Sequence, residues 1–483
     1  MRNGHSQVKA KGKGAWALGA LACSLAMPVW AQQALTVEAL QKRLEALERR
    51  VGGSAVAAEG EAVEPGLGDL DQRLRILERR LELQQEEQVA KAKEAAVVTV
   101  NDKGASLKSA NGDYEIKLRG LVQGDARFYL DGVPAGTNDT FLLRTARPTL
   151  EGSLGKLVAF RLTPEFAGDS ASIVDAYVDL RFNPAYTLRV GKFTSPVGLE
   201  RLQSSAALSE IERALPSELA PNRDIGVQLQ GEFANSEVSY AIGVFNGAVD
   251  GRDAATTNPD NDFEYAGRLF FEPFKNDANA LSGLGFGIGG SIGDKHGSGN
   301  NFLPRYRTPG QLQFFGYLST VLADGQQTRF SPEGYYYRGG FGLLAEYIVS
   351  KQAVRVGAVR EDISNKAWQT TASYVLTGED TGYRGVLKPS RPFAPGKNGG
   401  WGAFELVGRY SVLEVDEAAF PLFANPSTSA NQANSWTLGV NWYLNSNLKL
   451  VVNYLHTSFE GGAAAGADRE SEKALFSRLQ VAF

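Results

Sequence analysis

The chain ends ALFSRLQVAF, and the alternation of apolar and polar residues runs to the last position. Leu475, Leu479, Val481 and Phe483 share one side of an extended strand, and Arg478 and Gln480 take the other. Chain ends ordinarily fray and are polar. A terminus that keeps period two and stops on an aromatic is expected to be paired and to face an apolar medium. The same period governs everything after about residue 112. EIKLRGLVQGDARF sets Ile116, Leu118, Val122, Ala126 and Phe128 against Lys117, Arg119, Gln123, Asp125 and Arg127. SWTLGVNWYLN sets Trp436, Leu438, Val440, Trp442 and Leu444 against Thr437, Asn441, Tyr443 and Asn445.

Sixteen such segments follow one another: 114–130, 140–153, 156–167, 173–183, 185–194, 223–234, 236–247, 262–274, 283–294, 325–338, 339–350, 365–378, 401–416, 434–445, 447–459 and 473–483. The number is even, and many approach the roughly 9–11 residues of a tilted spanning strand. Some joins are tight (NPAY, ANS, LNSN) and others long and polar. Short turns at one end and long loops at the other are the pattern of an outer-membrane barrel. The expected fold is all-β: a transmembrane β-barrel of about 16 antiparallel strands over 113–483, apolar outside and wet within. A soluble sandwich also alternates. Here the polar face carries paired charges, tyrosines and bare glycines, and aromatics gather near strand ends (GYYYRGGF, NWYLN), where an interface girdle needs them.

Composition agrees. The mean hydropathy of −0.23 is that of a soluble chain, as a sheet with one wet face must give. Beyond residue 31 there is no charge-free apolar run of the ~18 residues a spanning helix needs. Residues 1–31 have the anatomy of a signal peptide: basic Arg2, Lys9, Lys11 and Lys13, the apolar AWALGALACSLA, and Val29 and Ala31 before the expected cleavage after Ala31. The only cysteine, Cys23, lies within it; a lipoprotein reading would use Cys23, but GALAC fits that signal poorly. The exported chain therefore has no disulfide, thiol nucleophile or thiolate ligand. Residues 32–95 hold two short heptad runs, Val37-Leu40-Leu44-Leu47-Val51 and Leu67-Leu70-Leu74-Leu77-Leu81, split by a Gly/Ala-rich break. They predict a periplasmic helical hairpin or a self-associating coiled-coil stalk. Residues 96–112 read as a linker.

Several motifs imitate chemistry. GFGIGGSIG fits both a dinucleotide fingerprint and a nucleophile elbow, but both need a helix next, and none is expected. As a strand it sends Leu284, Phe286, Ile288 and Ile292 to lipid and Gly283, Gly285, Gly287 and Gly289 inward, a bare wall with room for a loop. With the signal removed, only His296 and His456 remain, too few for a histidine triad or multi-histidine metal site. NPDNDF, with Asp260 and Asp262, offers few carboxylates for calcium and reads as a solvated loop. No enzyme, cofactor, metal or nucleic-acid partner is expected.

The longest non-alternating stretch in the first half of the barrel, 195–222, is the expected inward loop. Four glutamates (Glu200, Glu210, Glu212, Glu218) and two arginines (Arg201, Arg213) make it acidic. Candidate lumen-lining cations are Lys117, Arg119, Arg127, Arg181 and Arg409, with Arg161, Arg189 and Arg268 on similar faces. Rings of Arg or Lys can replace the hydration shell of an anion; equally, such residues can brace the wall by pairing with carboxylates.

FLLRTARPTLEG, VDAYVDLRFNPAYTLRVGKFTSPVGLE, ERALPSELAPNRDIGVQL, AWQTTASYVLTGE, RYSVLEVD and SWTLGVNWYLNSNLKLVVNYLHT together resemble the phosphate- and polyphosphate-selective porins of Gram-negative outer membranes. The resemblance implies a homotrimer of sixteen-stranded barrels with an arginine-lined path to a constriction. It maps basic positions onto Arg144, Arg147, Arg213 and Arg223, and Arg201 joins them as an anion-binding candidate. The terminal Phe483 resembles the signal read by the outer-membrane assembly machinery. Where the family often has a doubled arginine this chain has Arg144-Thr145, and residues 101–483 carry 36 Lys plus Arg against 41 Asp plus Glu. Anion selectivity would thus need a local field. The leading expectation is a passive, water-filled channel for small anions, phosphate or polyphosphate first. The alternatives are a general or differently selective porin, or a barrel tethering the outer membrane to the cell wall through its N-terminal coiled coil.

Overall fold

The structure is a computed structural model and describes residues 42, 44–46, 67–386, 388–396 and 399–483. The chain divides into two units, Met1–Lys93 and Glu94–Phe483. In the first, helix α1 (Leu67–Glu94) buries Leu74, with Leu77 and Leu81 packed against it. The signal segment, with Cys23, and most of the first heptad run lie outside the described residues.

The second unit is a closed antiparallel barrel. Residues 96–112 are more than a linker: they carry a hairpin, β1 (Val97–Asn101) and β2 (Gly104–Lys108), and β2 pairs with the lower part of the first barrel strand. That strand is β3 (Tyr114–Asp131). It is followed by β4 (Thr140–Leu154), β5 (Val158–Glu165), β6 (Ser172–Asn183), β7 (Tyr186–Thr194), β8 (Arg223–Phe233), β9 (Val238–Phe245), β10 (Glu264–Phe271) and β11 (Leu284–Ser298). After a small loop sheet of β12 (Arg305–Arg307) and β13 (Gln313–Gly316) come β14 (Leu322–Arg338), β15 (Phe341–Val356), β16 (Val359–Val375), β17 (Ala403–Glu414), β18 (Ala430–Tyr443), β19 (Leu448–Gly461) and β20 (Glu472–Ala482). Each of the sixteen segments read from the sequence corresponds to one wall strand.

Closure is made by β20 on β3, in register from Ala474 opposite Tyr129 to Ala482 opposite Leu121, with a bulge before Lys473 meets Asp131. The terminus continues the ladder: Phe483 N–H donates to Gly120 O at 3.0 Å, and Gly120 N–H donates to Phe483 O at 2.9 Å. A Cβ on residue 120 would lie 2.5 Å from the Phe483 ring, so glycine makes room for the terminal aromatic. The paired, apolar-facing terminus follows from closure, because a barrel has no free edge.

Outward positions are apolar and exposed along the wall, for example Ile116, Leu118 and Val122 on β3, Phe286, Ile288 and Ile292 on β11, and Leu438 and Val440 on β18. In GFGIGGSIG the alternating Gly285, Gly287 and Gly289 point inward as expected. Gly285 leaves space for the rings of Tyr335 and Phe270, while Gly289 faces Pro196 O and Val197 Cα of the inward loop, 3.1 and 3.6 Å from where its Cβ would be.

The interior is wet on one side only. Toward the ends of β14–β19 remote from the terminus, inward Ala323, Val354, Ile363, Ala367, Leu413 and Ala433 meet Tyr306, Phe314, Phe315 and Leu303 from the loop carrying β12 and β13, and Ala419 and Phe423 from 415–429. This is a dry core inside the barrel. Burial of apolar surface contributes roughly 25 cal/mol per Å², so these loops are welded to the wall. The expectation of a wet lumen throughout is corrected where this core fills it.

Candidate functional site

Residues 195–222 leave β7 and cross the lumen; of their side chains only Ser204 is exposed. The loop is pinned to the far wall strand by strand. Glu346 on β15 accepts from Leu199 N–H at 2.7 Å. Asn441 on β18 donates to Ser209 O at 2.8 Å, and Lys449 on β19 donates to Leu208 O at 2.7 Å. Asn453 accepts from Ile211 N–H at 2.7 Å, and on β20 Arg478 donates to Ile211 O at 2.7 Å and Gln480 to Ala206 O at 3.0 Å. Each contact satisfies a loop backbone group that would otherwise be buried unpaired, at a cost of about 1–3 kcal/mol apiece.

The connection 376–402, at the end where most turns are tight, inserts as well. Tyr383 stacks on Tyr335 with centroids 5.4 Å apart and its carbonyl accepts from Gln203 at 2.6 Å. Its hydroxyl donates to Leu199 O.

The loop sorts its charges. Three of its four acids turn to the wall or into ion pairs, while Glu218 accepts from Arg307 N–H at 2.9 Å and borders open space. Glu200 accepts from Ala214 N–H at 2.8 Å and lies 3.3 Å from Arg409. Glu210 lies 2.6 Å from Arg409, close in distance but not aligned for a hydrogen bond. Burial pushes its carboxyl up to about 7 against the pull of Arg409. Glu212 is met by Arg127 at 2.5 Å, Arg144 at 3.1 Å and Arg478 at 3.5 Å. Burial alone would raise it, but Arg144, Arg127 and Arg478 hold it at about 2, so it stays ionised. The loop arginines turn the other way. Arg213 donates to Glu200 O and Gln203 O, and Arg201 donates to Ser217 O, with no carboxylate in ion-pair reach of either among the described residues. Burial, then the neighbouring Arg201, lowers Arg213 to about 9 against the opposing pull of Glu200.

On that side the lumen stays open as connected cavities. The first, about 280 Å³, is lined by nine arginines and only two acids, Glu212 and Glu218. Five of the nine are Arg144, Arg147, Arg201, Arg213 and Arg223, which the sequence reading named together. Arg252, Arg305, Arg307 and Arg478 complete the set. The second cavity, about 860 Å³, runs along β3–β10 past Arg119, Arg161, Arg189 and Arg268. Arg147, Arg201, Arg223 and Ser205 line both and form the neck between them. Arg147 is paired with Glu165 at 2.6 Å and Arg223 loosely with Asp175 at 3.4 Å, whereas Arg201 keeps a buried Nε without a partner. A third cavity of about 310 Å³ shares Arg119, Arg161 and Arg189 with the second and adds Lys117 and Arg181. In that wide end most cations are compensated: Arg161 by Glu151 at 2.6 Å, and Arg189, lying over the Tyr177 ring, by Asp179 at 2.7 Å.

Of the expected lumen-lining cations, Lys117, Arg119 and Arg181 border open space. Arg127 and Arg409 face inward but are sealed beneath the loop, holding Glu212 and Glu210. Sequence reasoning missed Arg252, Arg305 and Arg307, which lie in loops without regular alternation. One signal was present: Arg-Tyr-Arg at 305–307 is a strand-like triplet. Tyr306 is fully buried, bonded to Asn365 at 2.7 Å, and its two neighbours are left to face the cavity. Asp260 and Asp262 take up loop bonds instead of a shared centre: Asp260 accepts from His296 N–H at 2.9 Å, and Asp262 pairs with the His296 ring at 2.8 Å.

With this geometry in view, comparisons place the chain among known proteins. The family model described as phosphate-selective porin O and P matches residues 116–483. Porin O of Pseudomonas aeruginosa is 25% identical over 415 residues, spanning 80% of this chain and 93% of that protein. An uncharacterized protein of Caulobacter vibrioides is 22% identical over 382 residues, spanning 77% and 74%. Among solved structures, the outer membrane channel DcaP of Acinetobacter baumannii superimposes with a TM-score of 0.50 at 12% identity, covering 78% of this chain and 99% of that one. That likeness is one of fold.

Proposed function

The chain belongs to the phosphate-selective porin O and P family, and on that premise we propose that it forms a passive, water-filled pore for small anions in a Gram-negative outer membrane, with phosphate or polyphosphate as the favoured solute. The observation that carries this reading is the neck cavity: nine guanidiniums face two carboxylates, one of which, Glu212, is already shared among three arginines. An anion entering there exchanges water for charge-assisted hydrogen bonds from planar donors that match phosphate oxygens. The loop supports this field without a cationic chain, because Glu200 and Glu210 turn away from the path and Glu212, on its border, is held by three arginines. The pore acts by selective passage and needs no cofactor.

The same reading has the leader cleaved after Ala31 and the barrel seated in outer-membrane lipid, with Phe483 read by the assembly machinery. It makes the assembly a homotrimer. The apolar stripe of α1 around Leu74 supports a coiled-coil stalk on that trimer, with a tethering role as its second use. The test is single-channel conductance in planar bilayers, in chloride with phosphate titrated in. Anion-over-cation reversal potentials and block of chloride current at low phosphate are expected. A cation-selective or non-selective pore indifferent to phosphate overturns the proposal.

A further inference from the structure

The connection between β16 and β17 grips the barrel rim on both faces. Its first half lies inside, where Val386 packs with Val375, Ala403 and Tyr443. Its second half lies outside. Phe393 N–H donates to Leu444 O at 2.6 Å, and the Phe393 ring meets the outward Trp442 edge-on at 5.3 Å. Phe404 stacks on Trp442 at 5.7 Å and 6°. Tyr443 and Trp442 are consecutive residues of β18, so one loop clasps both sides of one strand. Gly402 N–H to Arg391 O at 3.0 Å and Ala394 N–H to Gly400 O at 3.1 Å close the outer half into a small flap. Trp442 Nε1 donates to Trp401 O at 2.6 Å, which fixes the backbone at Trp401. Trp401 itself is 72% exposed, just before β17, whose outward Leu406 pairs across from Val440 of β18. Arg391 and Lys388, in the same segment, are exposed.

We infer that this flap is a docking surface for anionic phospholipid of the periplasmic leaflet, with Trp401 seated at the headgroup level and Arg391 and Lys388 contacting the headgroup phosphates. Three observations carry it. The flap is continuous with the lipid-facing wall. It lies at the end of the barrel with the tight turns, the periplasmic end of such folds. And it combines an interfacial aromatic with cations, the chemistry that anchors protein at a charged membrane surface. The inference rests on the chain spanning an outer membrane and is independent of what the pore conducts.

The full chain is reconstituted in phosphatidylcholine vesicles containing phosphatidylglycerol, with one lipid or the other brominated near the headgroup. The fluorescence component lost in Trp401→Phe is expected to be quenched preferentially by brominated phosphatidylglycerol. Two cations at an anionic surface give a local enrichment of roughly 25-fold. Combining Arg391→Ala with Lys388→Ala should bring the two lipids level. Equal quenching in the native chain, or quenching indifferent to losing both cations, overturns the inference. Full access of aqueous iodide to Trp401 in vesicles also overturns it, and would point to a soluble periplasmic partner. Conductance of the paired variant is measured alongside and should be native, which separates failure here from failure of the pore reading.

Discussion

Replacing Arg201 by Gln removes a guanidinium from the neck without releasing a carboxylate, since Arg201 is bonded to Ser217 O and to no acid among the described residues. Its neighbours are less clean: Arg147→Gln would free Glu165, and Arg223→Gln would free Asp175. A hydrogen bond to a charged group is worth about 1.5–3 kcal/mol, so losing one of three neck guanidiniums should raise the phosphate concentration for half-block of chloride current by roughly 10- to 150-fold. The comparison is Arg181→Gln in the wide end. Arg181 is 56% exposed and its nearest carboxylate, on Asp179, is 3.9 Å away. An exposed charge of this kind is screened and should shift block by less than about twofold. Raising salt to about 1 M shortens the screening length to about 3 Å, which should erase the Arg181 effect and leave most of the Arg201 effect. Both variants are first checked for the native heat-dependent shift on a denaturing gel. Equal shifts in the two variants, or none in Arg201→Gln, would refute a localised neck site and leave only a diffuse positive lumen.

Gly120→Val puts a side chain into the Phe483 ring; refolding yield should drop severalfold while deletion of α1 leaves it unchanged, as measured by the folded fraction on an unheated gel. Glu210 has a folded-state value near 7, above its ordinary one, so the folded chain holds more protons between about pH 4.3 and 7. Its contribution to stability is therefore greatest below that window and is lost as pH rises through it. The urea midpoint of the refolded barrel should fall from pH 5 to 7.5, and Glu210→Gln should flatten that slope; an unaltered slope assigns the titration elsewhere. Phe314→Ala in the dry core should cost about 3–5 kcal/mol in unfolding experiments yet leave phosphate block at the native value, because Phe314 borders none of the open cavities.

Strand number, order and facing were legible because period two is a local property. Each residue's side is set by its neighbours and by the apolar medium outside, and lipid enforces that rule on every strand. Even the closing strand was legible, since an apolar aromatic terminus has no purpose unless an edge receives it. The heptad spacing likewise announced α1. Only hydrogen bonding at a distance could show that residues 97–108 extend the wall, because GASLK is too short to declare a partner.

The charge balance was the opposite case. By composition the barrel region is acidic, and no count of residues yields an anion path. The sequence did name Arg144, Arg147, Arg201, Arg213 and Arg223, but as separate positions on two strands and a loop. Folding decides that all five border one cavity, that Glu210 is turned to the wall and Glu212 is neutralised at its edge, and that Arg127 and Arg409 are consumed in holding them. It also decides that one end of the lumen is dry, since the apolar inner ends of β14–β19 make sense only once the distant loop at 299–321 lies against them. Alternation is written residue by residue, whereas the sign of an electric field inside a tube depends on which distant charges end up sharing the same few ångströms.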